Sequence, residues 1–127
     1  MGLFDQLIGN ASEVDIEKLR KDYAKLLGPD EDLEQGYKVI RDTILFTNKR
    51  LIIVDVQGVT GKKIVYHSIP YHSIRHFLVE TTGHFELEAT LKIWIAGMGD
   101  EPIVKTFGED DNVYQVQVLL TDHIAKV

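Results

Sequence analysis

The chain of 127 residues contains no cysteine. A disulfide framework and a thiolate zinc site are excluded with it, so packing alone must carry the fold; a reducing compartment fits. Proline is scarce, with three residues in all, and two of them, Pro29 and Pro70, fall at breaks between apolar runs. No stretch approaches the ~20 apolar residues of a membrane-spanning helix. The start, MGLFDQLIGNASEVD, lacks the basic region of a secretory leader and carries Asp5 early. It opens Met1-Gly2, but Gln6 stands where a myristoylation signal needs serine or threonine. Basic charge is short as well. Fourteen Lys and Arg face 20 Asp and Glu, a formal net charge of -6. This weighs against a broad basic face for nucleic acid or anionic lipid and leaves room only for local patches. Of the adjacent basic pairs, Lys49-Arg50 and Lys62-Lys63 each sit in a predicted turn and read as solvated charge.

What the chain does have is β-type sequence. The length fits one domain, large enough to bury roughly two-thirds of its unfolded surface. The centre, Thr43 to Glu80, holds four short runs rich in β-branched and aromatic residues: Thr43 to Phe46, Leu51 to Val56, Ile64 to Tyr66 and Ile74 to Val79. Polar or glycine-containing breaks separate them, the pattern of an antiparallel meander. Leu51, Ile53 and Asp55 alternate with Ile52, Val54 and Val56. Both sets are largely apolar, so this strand is expected to be covered on both faces. Ile69-Pro70-Tyr71 is expected to break the ladder, because proline cannot donate to it. In the next strand Arg75, Phe77 and Val79 are expected on one side, and Ile74, His76 and Leu78 on the other. A further strand, Leu33 to Ile40, precedes the meander, with Gly36 marking a bulge or a close approach. His84 to Ala96 alternates with period two, which predicts a long strand with one buried face and Trp94 on the polar side. Gly97 to Asp100 reads as a hairpin turn and Ile103 to Phe107 as the return strand.

Helices flank this β region. Leu3, Phe4, Leu7 and Ile8 sit at helical spacing before Gly9-Asn10, a short amphipathic arm too brief to be stable alone. Its apolar face must be received by its own domain, by a neighbouring subunit or, as the least favoured of the three, by a membrane. Ser12 caps a second predicted helix, Glu13 to Leu27, with Ile16, Leu19, Tyr23 and Leu26 on one face. Gly28-Pro29 stop it. At the other end Val113, Val116, Leu120 and Ile124 recur at helical spacing after an acidic capping segment, which predicts a C-terminal amphipathic helix of about four turns.

Candidate chemistry is thin. Asp30-Glu31-Asp32 lacks the glycine and distant glutamate of a calcium loop. His72 and His76 share a strand face too far apart for one metal, and His67 reaches them only if the Pro70 segment folds back. No nucleophile-elbow pattern surrounds Ser68 or Ser73. The glycine pairs mark turns and lack phosphate-loop spacing. No catalytic residue, metal site or cofactor is expected. Trp94 on an outward strand face and Phe4 and Leu7 on a terminal arm are the candidate interface residues, since exposed aromatics favour interfaces; cover of Trp94 by the chain's own N-terminal helix is the alternative.

The order helix, seven strands, helix is that of a pleckstrin-homology-like barrel. The pattern D-x-I-L-F-T-N-K-R-L-I-I-V-D-x-Q-G-x-T-G-K-K, from Asp42 to Lys63, and S-I-P-Y-x-S-I-x-x-F-x-V-E-T, from Ser68 to Thr81, resembles the bacterial pleckstrin-homology domain family. So do the helical N-terminal extension and the D-D-N-V helix start. The resemblance implies a mainly β (α+β) fold of seven antiparallel strands in two nearly orthogonal sheets, with a C-terminal capping helix. Residues 1–28 would form the helical extension and 29–127 the PH-like domain, one structural unit. It also implies a stand-alone, non-enzymatic, bacterial cytoplasmic protein that assembles into homo-oligomeric rings, pentamers in form, and acts as a scaffold toward a protein or peptide partner. Eukaryotic relatives often bind phosphoinositides through basic residues in the first hairpin. Here that hairpin holds only Lys38 and Arg41, opposed by Asp42, so phosphoinositide binding does not carry over. A membrane-surface or lipid-head-group module is the alternative function.

Overall fold

A computed structural model describes residues 11–39, 42–81, 89–107 and 112–125. The chain forms helix α1 (Ala11–Asp22), a 3-10 turn (Ala24–Leu26), strands β1 (Leu33–Val39), β2 (Asp42–Thr47), β3 (Arg50–Gln57) and β4 (Lys63–Pro70), a second 3-10 turn (Tyr71–Ser73), then β5 (Ile74–Thr81), β6 (Ala89–Ile95), β7 (Ile103–Phe107) and helix α2 (Asn112–Ile124). The strands make two sheets, of order β1-β2-β3-β4 and β5-β6-β7. Contacts group the chain into two compact parts, residues 1–37 with 42–68 and residues 38–41 with 69–127.

The first part is built around β2 and β3, whose apolar runs are buried on both of their faces. β2 and β3 pair antiparallel, with Leu45 opposite Ile52 and Phe46 opposite Leu51. Ile44, Leu45, Phe46, Leu51, Ile52, Ile53 and Val54 are all buried, as the doubly apolar pattern of β3 requires. On one face Leu33, Leu45, Ile52 and Val54 receive Leu19, Tyr23, Leu26 and Leu27. The helical spacing of these residues thus becomes the packed stripe. Gly36 is a close approach: a side chain there would collide with Leu19, and its Cβ would lie 3.2 Å from Leu45 Cδ2.

The helix is shorter than the pattern suggests. It ends at Asp22, and a 3-10 turn carries the apolar face on to Leu26. Ser12 lies inside the helix instead of capping it. β4 also differs from expectation, because it runs through Ile69 to Pro70. Pro70 is its last residue, on a strand at the end of the sheet order, where a missing N–H costs least.

The second part follows the simpler rule of one buried face. In β6 the residues Ala89, Leu91, Ile93 and Ile95 are buried while Thr90, Lys92 and Trp94 are not. β6 pairs antiparallel with β5 and β7. α2 packs on β5, β6 and the Tyr71–Ser73 turn, burying Val113, Val116 and Leu120. Near its C-terminal end the His123 ring stacks on Tyr71 at 4.0 Å. Gly97 and Gly99 take left-handed φ of 87° and 79° in the β6–β7 turn, a conformation that glycine adopts without strain.

β5 departs from simple alternation. Its register against β6 shifts between Ile74 and His76. Ile74 is consequently buried while His76 and Leu78 are exposed, so the expected grouping of those three on one face fails at the irregularity.

Candidate functional site

The open face of the β5–β7 sheet is ordered in rows. Alternation places Trp94, Lys92 and Thr90 of β6 outward. The β5 irregularity brings His76 beside Trp94, and the register sets Leu78 opposite Lys92, and Lys92 opposite Val104. His76 and Trp94 stack with ring centroids 4.4 Å apart and planes 21° from parallel. Trp94 Nε1 donates to the Asp100 carbonyl at 3.0 Å, tying the strand to its own hairpin. Lys92 Nζ meets Glu80 Oε1 at 2.8 Å. Around these polar contacts Leu78 is 38% and Val104 48% exposed. The face is therefore a half-covered aromatic pair flanked by two exposed aliphatics and one ion pair. Such a surface can bind by contact.

Trp94 thus stands where its alternation puts it, and the described cover over its ring is His76 of the same sheet. Phe4 and Leu7, the other two interface candidates, lie outside the described residues. No group of His, Asp and Glu that could hold a metal occurs among the described residues. Ser68 Oγ accepts from Arg50 Nη1 at 2.7 Å. The Ser73 carbonyl accepts from Ala96 N–H. In the first hairpin Asp42 Oδ1 accepts the Val56 N–H at 2.9 Å, and Arg41 lies outside the described residues. Among the described residues no helix is long and apolar enough to cross a membrane.

One cluster was not foreseen in its sequence. Arg50 is not a solvated turn charge. Its Nε and Nη2 reach Glu31 Oε2 and Oε1 at 2.8 and 2.9 Å, a bidentate fork. Nη2 also donates to the Leu26 carbonyl at 2.5 Å. Buried Thr47 donates its hydroxyl to Glu31 at 2.7 Å and accepts the N–H groups of Lys49 and Arg50. The Gly28 N–H adds a further donor at 3.1 Å. The Glu31 side chain is only 5% exposed. Arg50 and these other donors hold its carboxyl down at about 2, against the opposing effect of burial. The acidic loop is therefore a clasp that fixes the end of the N-terminal helical region to the β2–β3 turn. Asp32 completes it through Arg20 Nε at 3.5 Å. Elsewhere burial pushes the Tyr37 phenol up, where its ring meets Phe46 edge-on at 6.0 Å.

Comparison with known proteins places this geometry. The bacterial PH domain family model matches residues 2–124. The chain belongs to the bacterial PH domain family. Its mostly β fold, with two antiparallel sheets and a C-terminal helix, is the PH-like fold. The chain is 49% identical to a pleckstrin homology domain from Shewanella amazonensis of known crystal structure, with a TM-score of 0.81 over 97% of this chain and 98% of that one. A second solved relative is a DUF1696 family protein with a pleckstrin-homology domain from Shewanella loihica. It is 44% identical, with a TM-score of 0.75 over 86% of this chain and 92% of that one. Among curated proteins, the chain is 46% identical over 94% of its length to "Uncharacterized protein YjqA" of Bacillus subtilis, covering 96% of that protein. None of these PH-domain relatives carries an indication of catalysis in its name.

Proposed function

We propose that this bacterial PH domain is a non-catalytic, self-associating binding domain of the cytoplasm, working as a scaffold. The observation that carries the reading is the open β5–β7 face, where Trp94 is stacked and half-buried and Leu78 and Val104 are exposed beside it. Exposed apolar groups grouped on one strand face cost solubility unless a partner uses them. The interface assigned is Trp94 on that face, with Phe4 and Leu7 on the N-terminal arm. The family resemblance supplies the form of assembly, a homo-oligomeric ring of five copies, and the division into an extension at 1–28 and a domain at 29–127. The mechanism is contact alone: Trp94 and the aliphatics lose water against a neighbouring copy, and the Lys92–Glu80 pair sets a polar rim. Light scattering tests this. A mass several times 14.4 kDa is expected, and a monomer at micromolar concentration removes the ring.

A membrane-surface reading has one observation in its favour. Val59 is fully exposed in the β3–β4 turn, close in sequence to Lys62 and Lys63. The net charge of -6 opposes it, since anionic lipid attracts clustered cations. Co-sedimentation with anionic vesicles decides: no pelleting, with or without Phe4→Asp, disposes of the lipid module.

A further inference from the structure

Four strands end the two sheet orders: β1, β4, β5 and β7. An edge strand presents unpaired backbone groups, and proteins blunt such edges by keeping them short, charging them or covering them. β7 has five residues and carries Lys105. β1 buries Leu33, Tyr37 and Val39. The exposed positions of β5 include Arg75, His76 and Glu80. β4 is different. It has eight residues and pairs with β3 alone among the described residues. Its middle is apolar and open, with Ile64 and Tyr66 at 44% and 46% exposure and Val65 and His67 half-buried between them. Near the far end of the strand Ser68 Oγ accepts from Arg50 of the clasp at 2.7 Å. Pro70, with no N–H, stops the ladder there.

The charge is one-sided. Lys62 and Lys63 are exposed at the start of β4 and make no ion pair with a described residue. From Lys62 to Pro70 the chain has no carboxylate, so β4 of a second copy would bring none to these lysines. An extended segment with carboxylates of its own would.

We propose that the free edge of β4 is a strand-addition site for an extended peptide that is apolar opposite Ile64 and Tyr66 and acidic toward its C-terminal end. Backbone hydrogen bonds supply the attachment, and alternate side chains supply the choice of sequence. The polarity follows from antiparallel pairing, the commoner mode, which lays the peptide's C-terminal end beside Lys62 and Lys63. This inference rests on the reading of the chain as a binding domain and names the partner's chemistry.

The test uses the full chain and two synthetic peptides of alternating valine and threonine, one ending in glutamates and one in lysines. Amide spectra of the protein are followed during titration with each. The inference expects shifts concentrated between Lys63 and Ile69 and binding of the glutamate peptide about tenfold tighter than that of the lysine peptide. Lys62→Glu with Lys63→Glu should invert the preference, and Tyr66→Ser should weaken both peptides alike; all three positions are exposed enough to change without unfolding the domain. Absence of binding, equal affinity for the two peptides, or shifts confined to other strands would overturn it. Shifts of the same amides on raising protein concentration without peptide would overturn it too, in favour of a second copy as the occupant. An oligomer that binds neither peptide removes this inference and leaves the self-association reading standing; a monomer that binds the glutamate peptide does the reverse.

Discussion

Strands β2 and β3 and strands β5 to β7 are both antiparallel β structure, yet they are written differently and do different work. In β2–β3, neighbouring residues on opposite faces are buried alike, from Ile44 to Phe46 and from Leu51 to Val54, and the Glu31–Arg50 clasp closes the region over the β2–β3 turn. In β6 only alternate residues are buried, and β5 and β7 bury only Ile74 and Phe107. The others form an open face of His76, Trp94, Leu78 and Val104. The lesson is a division of labour. Burial is concentrated where both faces are sealed, and the open face is the one our proposal assigns to contact. The same volume of side chain should therefore matter very differently in the two places.

The largest effect should come from emptying the sealed sheet. Leu45→Ala removes a fully buried side chain facing Ile52, and about 4 kcal/mol should be lost in denaturant unfolding. Leu78→Ala, on the open face, should cost under ~0.5 kcal/mol in the same assay. Near-equal losses would erase the distinction.

The clasp comes next. Glu31→Gln leaves the Arg50 guanidinium without its carboxylate, and about 3 kcal/mol should go. The pH dependence has a definite sign. The folded Glu31 carboxyl is depressed from 4.5 to about 2, so its contribution is present above 4.5 and is lost as pH falls from there toward 2. Wild-type stability should fall across that window more steeply than that of Glu31→Gln. Parallel curves would mean that the clasp contributes nothing.

Gly36→Ala tests the tight seat of the helix. The added carbon meets the Leu19 side chain and crowds Leu45, and about 2 kcal/mol should be lost by overpacking. Smallest in stability is Leu78→Ser with Val104→Ser, expected within about 0.5 kcal/mol of wild type. That double variant should nevertheless lower the assembled fraction measured by sedimentation. An unchanged fraction would move the interface elsewhere.

Much of this was legible from periodicity. The alternation of Ala89, Leu91, Ile93 and Ile95 against Lys92 and Trp94 fixes both the strand and the face on which Trp94 lies. The spacing of Val113, Val116 and Leu120 fixes the buried stripe of α2. Other features need the third dimension. Glu31 and Arg50 are neighbours only because the chain folds the loop before β1 against the β2–β3 turn, and each alone reads as ordinary surface charge. The β5 irregularity moves His76 and Leu78 to the face opposite Ile74, and no residue type announces it. Pro70 suggests a break because proline cannot donate, a rule that does not apply to the last position of an edge strand. The open edge of β4 was hidden for the same reason: exposure of Ile64 and Tyr66 depends on sheet order, which local pattern does not carry.

The central claim is that the open β5–β7 face exists to meet another copy of the chain. Multi-angle light scattering on the full chain, beside the Leu78→Ser, Val104→Ser double variant, tests it most directly. The account expects wild type at a multiple of 14.4 kDa and the variant shifted toward a single chain with its fold intact. A wild type that stays at 14.4 kDa at every concentration would contradict it.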